Sequence, residues 1–270
     1  MVGAVAKGRM IAQGREAEIF AWTDGAVLKL FRSAGYGHEL EAAALETLGT
    51  ATAPAPRLLD RVEVDGRPGL VIERVDGRDM LTLLEKAPWR LVAYARRLAE
   101  AHVAVHAVAG PAGLPRLEEV MVARIEAAEM PAHLRSFALE HAGVLPSGDR
   151  LCHGDLHPGN VLVTRDDVSV IDWPVASRGH PDADFARSAL LMSIGDPPPG
   201  SRLMRALVKV GRRTFSRTYE STYRRLSPVD EEIVAHARVA HIAARLLEQI
   251  PVEREVLLRM LEEARALDRS

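Results

Sequence analysis

The sequence predicts an α+β protein with two lobes, in which a small antiparallel sheet with one helix is followed by a larger, mainly helical part. In the first part, pairs of apolar runs flank the Asp-Gly dipeptides at residues 24–25 and 65–66, a pattern typical of β-hairpins. Further along the chain, apolar residues recur mostly at helical spacing. We therefore divide the chain into a first lobe of residues 1–75 and a second lobe of residues 76–270.

The elements of the first lobe follow from these turns. Residues 10–31 form the first predicted hairpin, and residues 61–75 form the second. Between them, residues 38–49 carry an apolar stripe at helical spacing and end at Gly49, a usual helix terminator. The first lobe is therefore predicted to be an antiparallel sheet with this helix packed on one face.

The second lobe is predicted to be helical apart from one hairpin. Residues 160–164 and 168–172 are β-rich runs separated by a short polar turn, which predicts that hairpin. A Pro opens the first helix of the lobe, at the position where Pro is best tolerated. The predicted helices occupy residues 88–106, 116–128, 131–141, 182–192, 201–225 and 230–249, and the last one begins at Pro251.

The composition indicates an ordinary globular protein. The chain has 270 residues, is 47% hydrophobic and has a formal net charge of −2, so bulk electrostatics predicts no polyanionic or polycationic partner. The single cysteine, Cys152, excludes an intramolecular disulfide framework and fits a reducing compartment. No apolar run is long enough for an export signal or a membrane span, so we expect a cytoplasmic protein with no membrane partner.

The segment from residue 151 to 173 carries the chemistry. It contains His153, Asp155, Asn160 and Asp172 in that order. Phosphoryl transfer to a hydroxyl needs a carboxylate that orients the attacking oxygen, and it needs oxygen ligands that hold Mg²⁺ on the phosphates. Asp155 fits the first part, and Asn160 and Asp172 fit the second. The predicted hairpin would fold Asp172 back beside Asn160.

Two other interpretations of this segment are weaker. His153, Asp155 and His157 are residue types that bind transition metals, but no further Cys or His follows at ligand spacing. Asp and Asn in a loop with Gly and Pro are usually turn formers. Four polar residues in the order that phosphoryl transfer requires, followed by a hairpin, favour the catalytic interpretation.

Residues 153–160, HGDLHPGN, resemble the catalytic loop of the aminoglycoside phosphotransferase and choline kinase group of small-molecule kinases, which have a protein-kinase-like fold. Protein kinases have an Arg before the catalytic Asp and an Asp-Phe-Gly metal segment. Here Gly154 precedes the Asp, and Asp172 is followed by Trp-Pro. The resemblance therefore implies transfer of the γ-phosphoryl group of ATP, with Mg²⁺, to a hydroxyl of a small molecule.

The same resemblance assigns residues that bind the nucleotide. The QGREAEIF stretch is similar to the family's phosphate-covering loop and has one glycine, Gly14. Lys29 would reach the α- and β-phosphates, unless strand alternation turns it towards solvent. Glu41 is the expected partner of Lys29, with Glu39 and Glu46 as competitors on the same helix.

Further residues are assigned by their place in the family pattern. Glu73 and Val75 would form the hinge, where backbone groups read the edge of adenine. His153 is expected to hold the loop through hydrogen bonds to the backbone near Asp172. Asp184 resembles the helix Asp that ties down the catalytic loop, and a carboxylate favoured by a helix N-terminus is an equal alternative.

The acceptor is the least defined part of the prediction. Family members act on aminoglycosides, choline-like amines, sugars and amino-alcohols, and a polycationic acceptor would require a cluster of acidic residues. Carboxylates that could supply such a cluster are Glu118, Glu119, Glu126, Glu129, Asp230, Glu231 and Glu232. The sequence does not indicate whether they meet, and it does not predict the oligomeric state.

Three other functions are less consistent with the sequence. A nucleotide-binding regulatory protein without transfer activity is disfavoured by the intact Asp155, Asn160 and Asp172. Protein kinase activity is disfavoured by the missing Arg and by the lack of an Ala-Pro-Glu segment. Residues 201–225 are basic and carry an aromatic stripe, but no nucleic-acid-binding motif accompanies them, so we expect no nucleic-acid partner.

Overall fold

A computed structural model of the protein describes residues 7–33, 35–51, 53–165, 167–194 and 202–268. The architecture is the α+β, two-lobed arrangement that the sequence predicts, with an antiparallel sheet at the start of the chain and helices after it. A deep cleft separates the sheet-built and helix-built parts, since residues from both line it.

The first lobe contains a five-stranded antiparallel sheet in the order β1-β2-β3-β5-β4. Its strands are β1 (Met10–Gln13), β2 (Ala17–Ala21), β3 (Ala26–Phe31), β4 (Leu58–Val64) and β5 (Arg67–Glu73). Both expected hairpins are confirmed, and Asp65 and Gly66 have the positive φ angles of 55° and 71° that a tight hairpin turn requires.

Alternation along β3 decides where its side chains point. Leu28 and Leu30 are fully buried on one face, where they pack with Phe20 and Val71. Lys29 therefore lies on the opposite face, which is the face that borders the cleft. Helix α1 (Gly37–Gly49) packs on this side, with residues such as Leu45 and Leu48 buried in the main core.

The second lobe is mainly helical. Its helices are α2 (Met80–Lys86), α3 (Leu91–His106), α4 (Leu117–Ala127), α5 (Ala132–Gly143), α6 (Pro181–Ser193), α7 (Arg202–Leu226), α8 (Glu231–Arg245) and α9 (Pro251–Asp268). Short strands are β6 (Arg78–Asp79), β7 (Arg150–Cys152), β8 (Val161–Val163), β9 (Val168–Val170) and β10 (Ser177–Gly179). The strands β7 and β10 pair with each other, and β8 lies between β6 and β9.

Several details differ from the sequence prediction. The strands β6, β7 and β10 lie outside the one hairpin predicted for the second lobe, because runs of two or three residues are too short to show an alternating pattern. Helix α2 was not predicted; it is short and is capped by Asp79, whose side chain accepts a hydrogen bond from the Thr82 amide. The helix predicted from residue 88 begins as a 3₁₀ turn, Pro88–Arg90. The helix predicted to reach residue 249 ends earlier, because a 3₁₀ turn, Leu246–Glu248, follows α8.

The hairpin after the catalytic loop is confirmed. Val161 pairs with Val170 in the antiparallel β8–β9 ladder. The Ile171 amide donates to the Asn160 carbonyl at 3.0 Å, which extends the pairing towards the cleft. Asn160 and Asp172 therefore emerge at the same end of the hairpin.

The aromatic stripe of α7 faces the interior. Phe215, Tyr219 and Tyr223 are buried in the main core, so they are not available for stacking on bases. None of the helices that the structure describes is both long and apolar enough to cross a membrane.

Candidate active site

Residues 153–160, the loop expected to be catalytic and called the catalytic loop below, lie at the floor of the cleft, which has a volume of about 1860 Å³. Most of the site residues expected from the sequence line this one cavity. They are Gly14, Lys29, Glu41, Glu73, Val75, Asp155, Asn160 and Asp172. His153 and Asp184 are buried and are not among the lining residues, which places them beneath the loop.

Asp155 presents its carboxylate to the cleft, and its side chain is 34% exposed. The Asn160 amide nitrogen donates to the Asp155 carbonyl at 2.9 Å and lies 3.4 Å from a carboxylate oxygen of the same residue. The Nη2 atom of Arg187 lies 3.5 Å from the other carboxylate oxygen. Asp155 is thus held from two sides while remaining accessible to a ligand.

Asp172 has an unusual backbone. Its φ angle is 69°, in the left-handed region, which costs a non-glycine residue on the order of 1–3 kcal/mol. Lys29 Nζ lies 2.6 Å from Asp172 Oδ1. Burial would raise the pKa of Asp172, but the charge and the hydrogen bond of Lys29, with smaller contributions from nearby groups, together outweigh it, and the pKa lies below the ordinary carboxyl value. The strained backbone therefore aims an ionised carboxylate at the cleft.

Lys29 is 7% exposed and forms a second ion pair with Glu41, at 2.5 Å. Burial lowers the pKa of Lys29, but Glu41 and Asp172 outweigh it, so the pKa is raised and the ammonium stays charged. Neither competitor takes this place, since Glu39 is exposed and Glu46 pairs with Arg61. The solvent-facing alternative for Lys29 is wrong because β3 turns the side chain to the inner face.

The site fits a magnesium ion. The Nδ2 of Asn160 is used by Asp155, which leaves the amide Oδ1 as the atom that can coordinate a cation. Asp172 provides a carboxylate beside it at the end of the hairpin. Amide and carboxylate oxygens are the hard ligands that Mg²⁺ prefers, and the remaining positions are usually filled by phosphates and water.

The loop over the cleft, residues 14–16, connects β1 and β2. The Gly14 amide donates to the Ala17 carbonyl at 2.8 Å, so this N–H closes the turn. A Cβ atom at Gly14 would meet the Ala17 carbonyl oxygen at 3.5 Å, an ordinary contact. The fold itself therefore tolerates a side chain at this position.

In the segment expected to be the hinge, residues 73–75, two backbone amides are already hydrogen-bonded within the first lobe. The Glu73 amide donates to the Arg57 carbonyl at 2.9 Å, and the Arg74 amide donates to Gly25 at 2.8 Å. The Glu73 carboxylate accepts from Arg57 at the surface. Val75 lines the cleft one residue further on, where its carbonyl accepts from Gly77.

Asp184 anchors the catalytic loop from below. Its carboxylate accepts hydrogen bonds from the backbone amides of His153 and Gly154, both at 2.8 Å. The Nε2 atoms of His102 and His106 lie 3.1 Å from one of its oxygens. Burial would raise the pKa of Asp184, but these histidine hydrogen bonds outweigh it, and the pKa lies well below the ordinary value.

Two tyrosines complete this buried network. The hydroxyl of Tyr219 lies 2.7 Å from His102 Nδ1, and that of Tyr223 lies 2.6 Å from His106 Nδ1. All of these groups are satisfied when each tyrosine donates to Nδ1 and each histidine donates Nε2–H to Asp184. Burial, followed by the charge of His106, lowers the pKa of His102 to about 3, which keeps its ring neutral.

Sequence reasoning missed these four supporting residues, although a signal was present. His102 and His106 are spaced four apart on α3, and Tyr219 and Tyr223 are spaced four apart on α7. Residues four apart share one helix face, so the two pairs can match when the helices pack side by side. The sequence alone does not indicate that α3 and α7 are the helices that meet.

His153 links the loop to the hairpin. Its Nε2 donates to the Ile171 carbonyl at 3.1 Å, and its Nδ1 accepts from the Asp155 amide at 3.2 Å. Its ring lies 4.4 Å from that of Trp173. Burial lowers the pKa of His153, so the ring is neutral. Because the ring bonds to the backbone on both sides, it fixes the position of Asp155 relative to Asp172.

The backbone at Gly154 requires a glycine immediately before Asp155. Its φ angle is 76°, and an added Cβ atom would lie 2.8 Å from the Val175 carbonyl oxygen. Both facts exclude a larger residue without a shift of the backbone. The glycine therefore allows the loop to pass close to the segment after Asp172.

Arg187 is a further site residue that the sequence analysis missed. It lies three residues after Asp184 on α6, so both side chains leave the same face of the helix. Its Nε donates to the Gly154 carbonyl at 3.1 Å, and its Nη2 lies 2.8 Å from Glu248. Arg187 thus connects the catalytic loop to the far wall of the cleft.

Comparison with known proteins agrees with this geometry. Residues 7–228 match the sequence model of a family described as the phosphotransferase enzyme family. No protein with a curated description matches the sequence.

Several solved structures share the fold. An apo structure of a thermostable mutant of aminoglycoside phosphotransferase APH(4)-Ia has a TM-score of 0.65 and 19% identity, covering 97% of this chain and 93% of that chain. A choline/ethanolamine kinase family protein from Mesorhizobium loti has a TM-score of 0.60 and 14% identity, covering 100% and 90%. Wild-type aminoglycoside 2'-phosphotransferase-IIIa, solved with GDP, has a TM-score of 0.59 and 18% identity, covering 99% and 95%. At these identities the similarity shows the protein-kinase-like fold.

Proposed function

The chain belongs to the phosphotransferase enzyme family, whose members phosphorylate hydroxyl acceptors, and from this premise we propose that it is an ATP- and Mg²⁺-dependent kinase of a small molecule. The observation that supports the proposal is the convergence of Lys29, Asp155, Asn160 and Asp172 on one cleft. Structures of the similar APH(4)-Ia protein hold AMP-PNP or ADP together with hygromycin B. We infer a nucleotide and a small acceptor side by side in this cleft.

Asp155 is proposed as the catalytic residue. Its carboxylate would accept a hydrogen bond from the acceptor hydroxyl and orient the oxygen towards the γ-phosphoryl group. Hydrogen bonds around the loop hold it in place, and Arg187 lies 3.5 Å from its carboxylate. The carboxylate of Asp155 is thereby directed into the cleft, as a general base requires.

Asn160 and Asp172 are proposed as the magnesium ligands. A bound Mg²⁺ would screen the negative charge of the phosphates during transfer. Lys29, steadied by Glu41, would extend its ammonium to the α- and β-phosphates. His153 and Asp184 are proposed to support the site through the backbone of the loop, without touching the nucleotide.

The remaining nucleotide contacts are proposed from where the residues lie along the cleft. The loop that contains Gly14 would cover the phosphates with its backbone. The hinge at Glu73 and Val75 would read the adenine edge, with the amide of Val75 as the donor, since the amides of Glu73 and Arg74 are already engaged. Val75 is the hinge residue we expect closest to the base.

The acceptor is proposed to be a hydroxyl compound such as an aminoglycoside, an amino-alcohol or a sugar. No nucleic-acid or membrane partner is proposed. The cytoplasm is the proposed location, since the one cysteine, Cys152, is buried as a free thiol.

An ATP-consumption screen over hydroxyl-bearing metabolites and aminoglycosides tests the proposal. We expect at least one acceptor to stimulate ATP consumption by the wild-type protein. The Asp155→Asn variant should show no such stimulation while it still binds ATP. ATP binding without turnover over the whole panel, unchanged in the Asp155 variant, would instead indicate a regulatory protein.

A further inference from the structure

The wall of the cleft beside Asp155 carries a group of arginines around one carboxylate. Arg124 of α4, Arg187 of α6 and Arg245 of α8 all contact Glu248, at 2.9, 2.8 and 2.7 Å. All four side chains line the cleft. We name these four residues the arginine wall. Since Arg187 also lies 3.5 Å from Asp155, the wall borders the place where the acceptor hydroxyl is proposed to lie.

The three arginines are not equally compensated. Arg245 has a second carboxylate, Glu253, at 2.8 Å, and Arg187 has Asp155. Among the residues that the structure describes, Glu248 is the carboxylate that pairs with Arg124, and the same oxygen also contacts Arg187. One oxygen of Glu248 therefore accepts from two guanidinium groups. Arg124 has no second carboxylate partner among the described residues, so its positive charge is less well compensated than those of Arg187 and Arg245.

The pKa shifts of Arg124 and Arg245 agree with this difference in their carboxylate partners. Burial, and next the charge of Arg187, lowers the pKa of the Arg124 guanidinium. Burial acts on Arg245 as well, but Glu253 and Glu248 outweigh it, and the pKa of Arg245 is raised. An anion that arrived beside Arg124 would therefore relieve an unfavourable interaction. The side chain of Arg124 is 28% exposed, so such an anion can reach it.

A polycationic acceptor would meet the opposite environment. None of the acidic residues that could have formed an acidic pocket, from Glu118 to Glu129 and from Asp230 to Glu232, is among the described lining residues. From α6 to the end of the described chain, the one described carboxylate that lines the cleft is Glu248, and arginines already occupy it. At the arginine wall, a cationic group would therefore have to displace one of these partly buried ion pairs.

We propose that the acceptor of this kinase carries a carboxylate, which binds Arg124 at the arginine wall while its hydroxyl meets Asp155. The inference rests on the proposed function and names its substrate class. Glu248 shows that the wall suits a carboxylate, because it already makes charge-assisted hydrogen bonds to three guanidinium groups there. A single negative charge matches the one arginine that is incompletely compensated.

Two series of hydroxyl compounds that differ at one end test the proposal. The first is D-gluconate, D-glucitol and D-glucamine, which end in a carboxylate, a hydroxyl and an ammonium group. The second is 3-phenyllactate, 3-phenylpropane-1,2-diol and 1-amino-3-phenylpropan-2-ol, which vary in the same way on an apolar body. Their dissociation constants are measured by calorimetry with the full chain saturated with AMP-PNP and Mg²⁺.

In at least one series we expect the carboxylate to bind about ten-fold or more tightly than its neutral and cationic partners. Arg124→Gln should abolish that preference. Arg124→Lys should retain part of it, because the charge remains but the planar fork is lost. The control is Arg259→Gln, an exposed arginine of α9 outside the cleft, which should leave all constants unchanged. Thermal unfolding of each variant shows that the protein is folded.

The inference is overturned if the neutral or cationic compound binds as well as the carboxylate in both series, if no carboxylate binds, or if Arg124→Gln keeps the preference. Failure of the proposed function gives a different result, namely no binding of AMP-PNP with Mg²⁺ and no ATP consumption with any acceptor. Binding of the nucleotide without a preference for the carboxylate therefore refutes the inference alone.

Discussion

The two sides of the catalytic loop are built on different principles. On the buried side, Asp184 accepts from two backbone amides and two histidines, and these side chains are buried. On the cleft side, Asp155 is 34% exposed and Asp172 is 47% exposed, and their charged partners are Arg187 and Lys29. Buried, fully paired groups hold one conformation, whereas partly exposed carboxylates can exchange a protein partner for a ligand.

Within a few residues, the groups that stabilise the fold are therefore distinct from the groups that face the cleft. Asp184 and Asp155 are both carboxylates next to the same loop, yet one holds backbone and the other faces the cleft. Substitution below the loop should therefore affect folding first and activity second. Substitution above it should affect ligand binding or turnover and leave folding almost unchanged.

The largest expected effect is on turnover in Asp155→Asn. The amide keeps the shape of the side chain but cannot accept the proton, so the rate should fall by about 10² to 10⁴. ATP affinity should change by no more than a few fold, and the unfolding temperature should stay the same. The exposed Asp149 gives the matched control, since Asp149→Asn should retain full activity. Normal turnover in Asp155→Asn would remove Asp155 as the base.

The next largest effect should be a loss of unfolding free energy in Asp184→Asn. An amide at this position cannot accept from all four donors, and loss of a buried charged partner costs about 3–5 kcal/mol. Chemical denaturation followed by circular dichroism measures the change. Asp149→Asn again serves as the surface control and should stay within about 0.5 kcal/mol of wild type. A loss in Asp184→Asn no larger than in this control would show that the anchor is dispensable.

The next effect is the dependence of stability on pH. The pKa values of the buried His102 and His241 are about 3 in the folded protein, against 6.5 for a free histidine. The unfolded chain therefore binds more protons between pH 6.5 and 3, and stability falls as the pH is lowered through this window. Each histidine contributes about 1.4 kcal/mol per pH unit.

The variant His241→Gln sharpens this test. Glutamine can still donate to the Ala183 carbonyl, which His241 contacts at 2.9 Å, but it does not titrate. The slope of unfolding free energy against pH should decrease by about 1.4 kcal/mol per pH unit, because one titrating group is gone. An unchanged slope between pH 5 and 6 would mean that His241 is not held neutral.

The smallest expected effect is that of Gly14→Ala. The fold has space for a Cβ atom at this position, so unfolding should not change measurably. If the loop approaches phosphates through its backbone, the methyl group should weaken ATP binding by a few fold and leave turnover of bound substrate unchanged. The measurement is the KM for ATP against kcat. A loss of stability would show instead that Gly14 serves the fold.

The residues on the cleft side of the catalytic loop could largely be predicted from the sequence. The order of His153, Asp155, Asn160 and Asp172 is a local pattern, and the hairpin that brings its ends together is also local. Both hairpins of the sheet and the long helices were predicted for the same reason. Helix α2 escaped because seven residues are too few to establish a periodicity.

The buried side could not be predicted because its contacts are distant in sequence. His102 and Tyr219 are 117 residues apart, and Arg124 and Glu248 are 124 apart. Only the packing of helices brings them together. The sequence shows which residues are charged. Whether a charged residue pairs with another depends on which helix faces pack together. For the same reason, the sequence did not reveal the arginine wall, and it did not show whether the carboxylates that a polycationic acceptor would require lie together.

The most direct test of the account is a calorimetric titration of AMP-PNP with Mg²⁺ into the wild-type protein and into Asp172→Asn. Asparagine keeps the size of the side chain and suits the left-handed backbone at this position better than most residues. We expect one tight, Mg²⁺-dependent site in the wild type and binding at least about ten-fold weaker in the variant. Equal affinities, or binding that does not depend on Mg²⁺ in either protein, would contradict it.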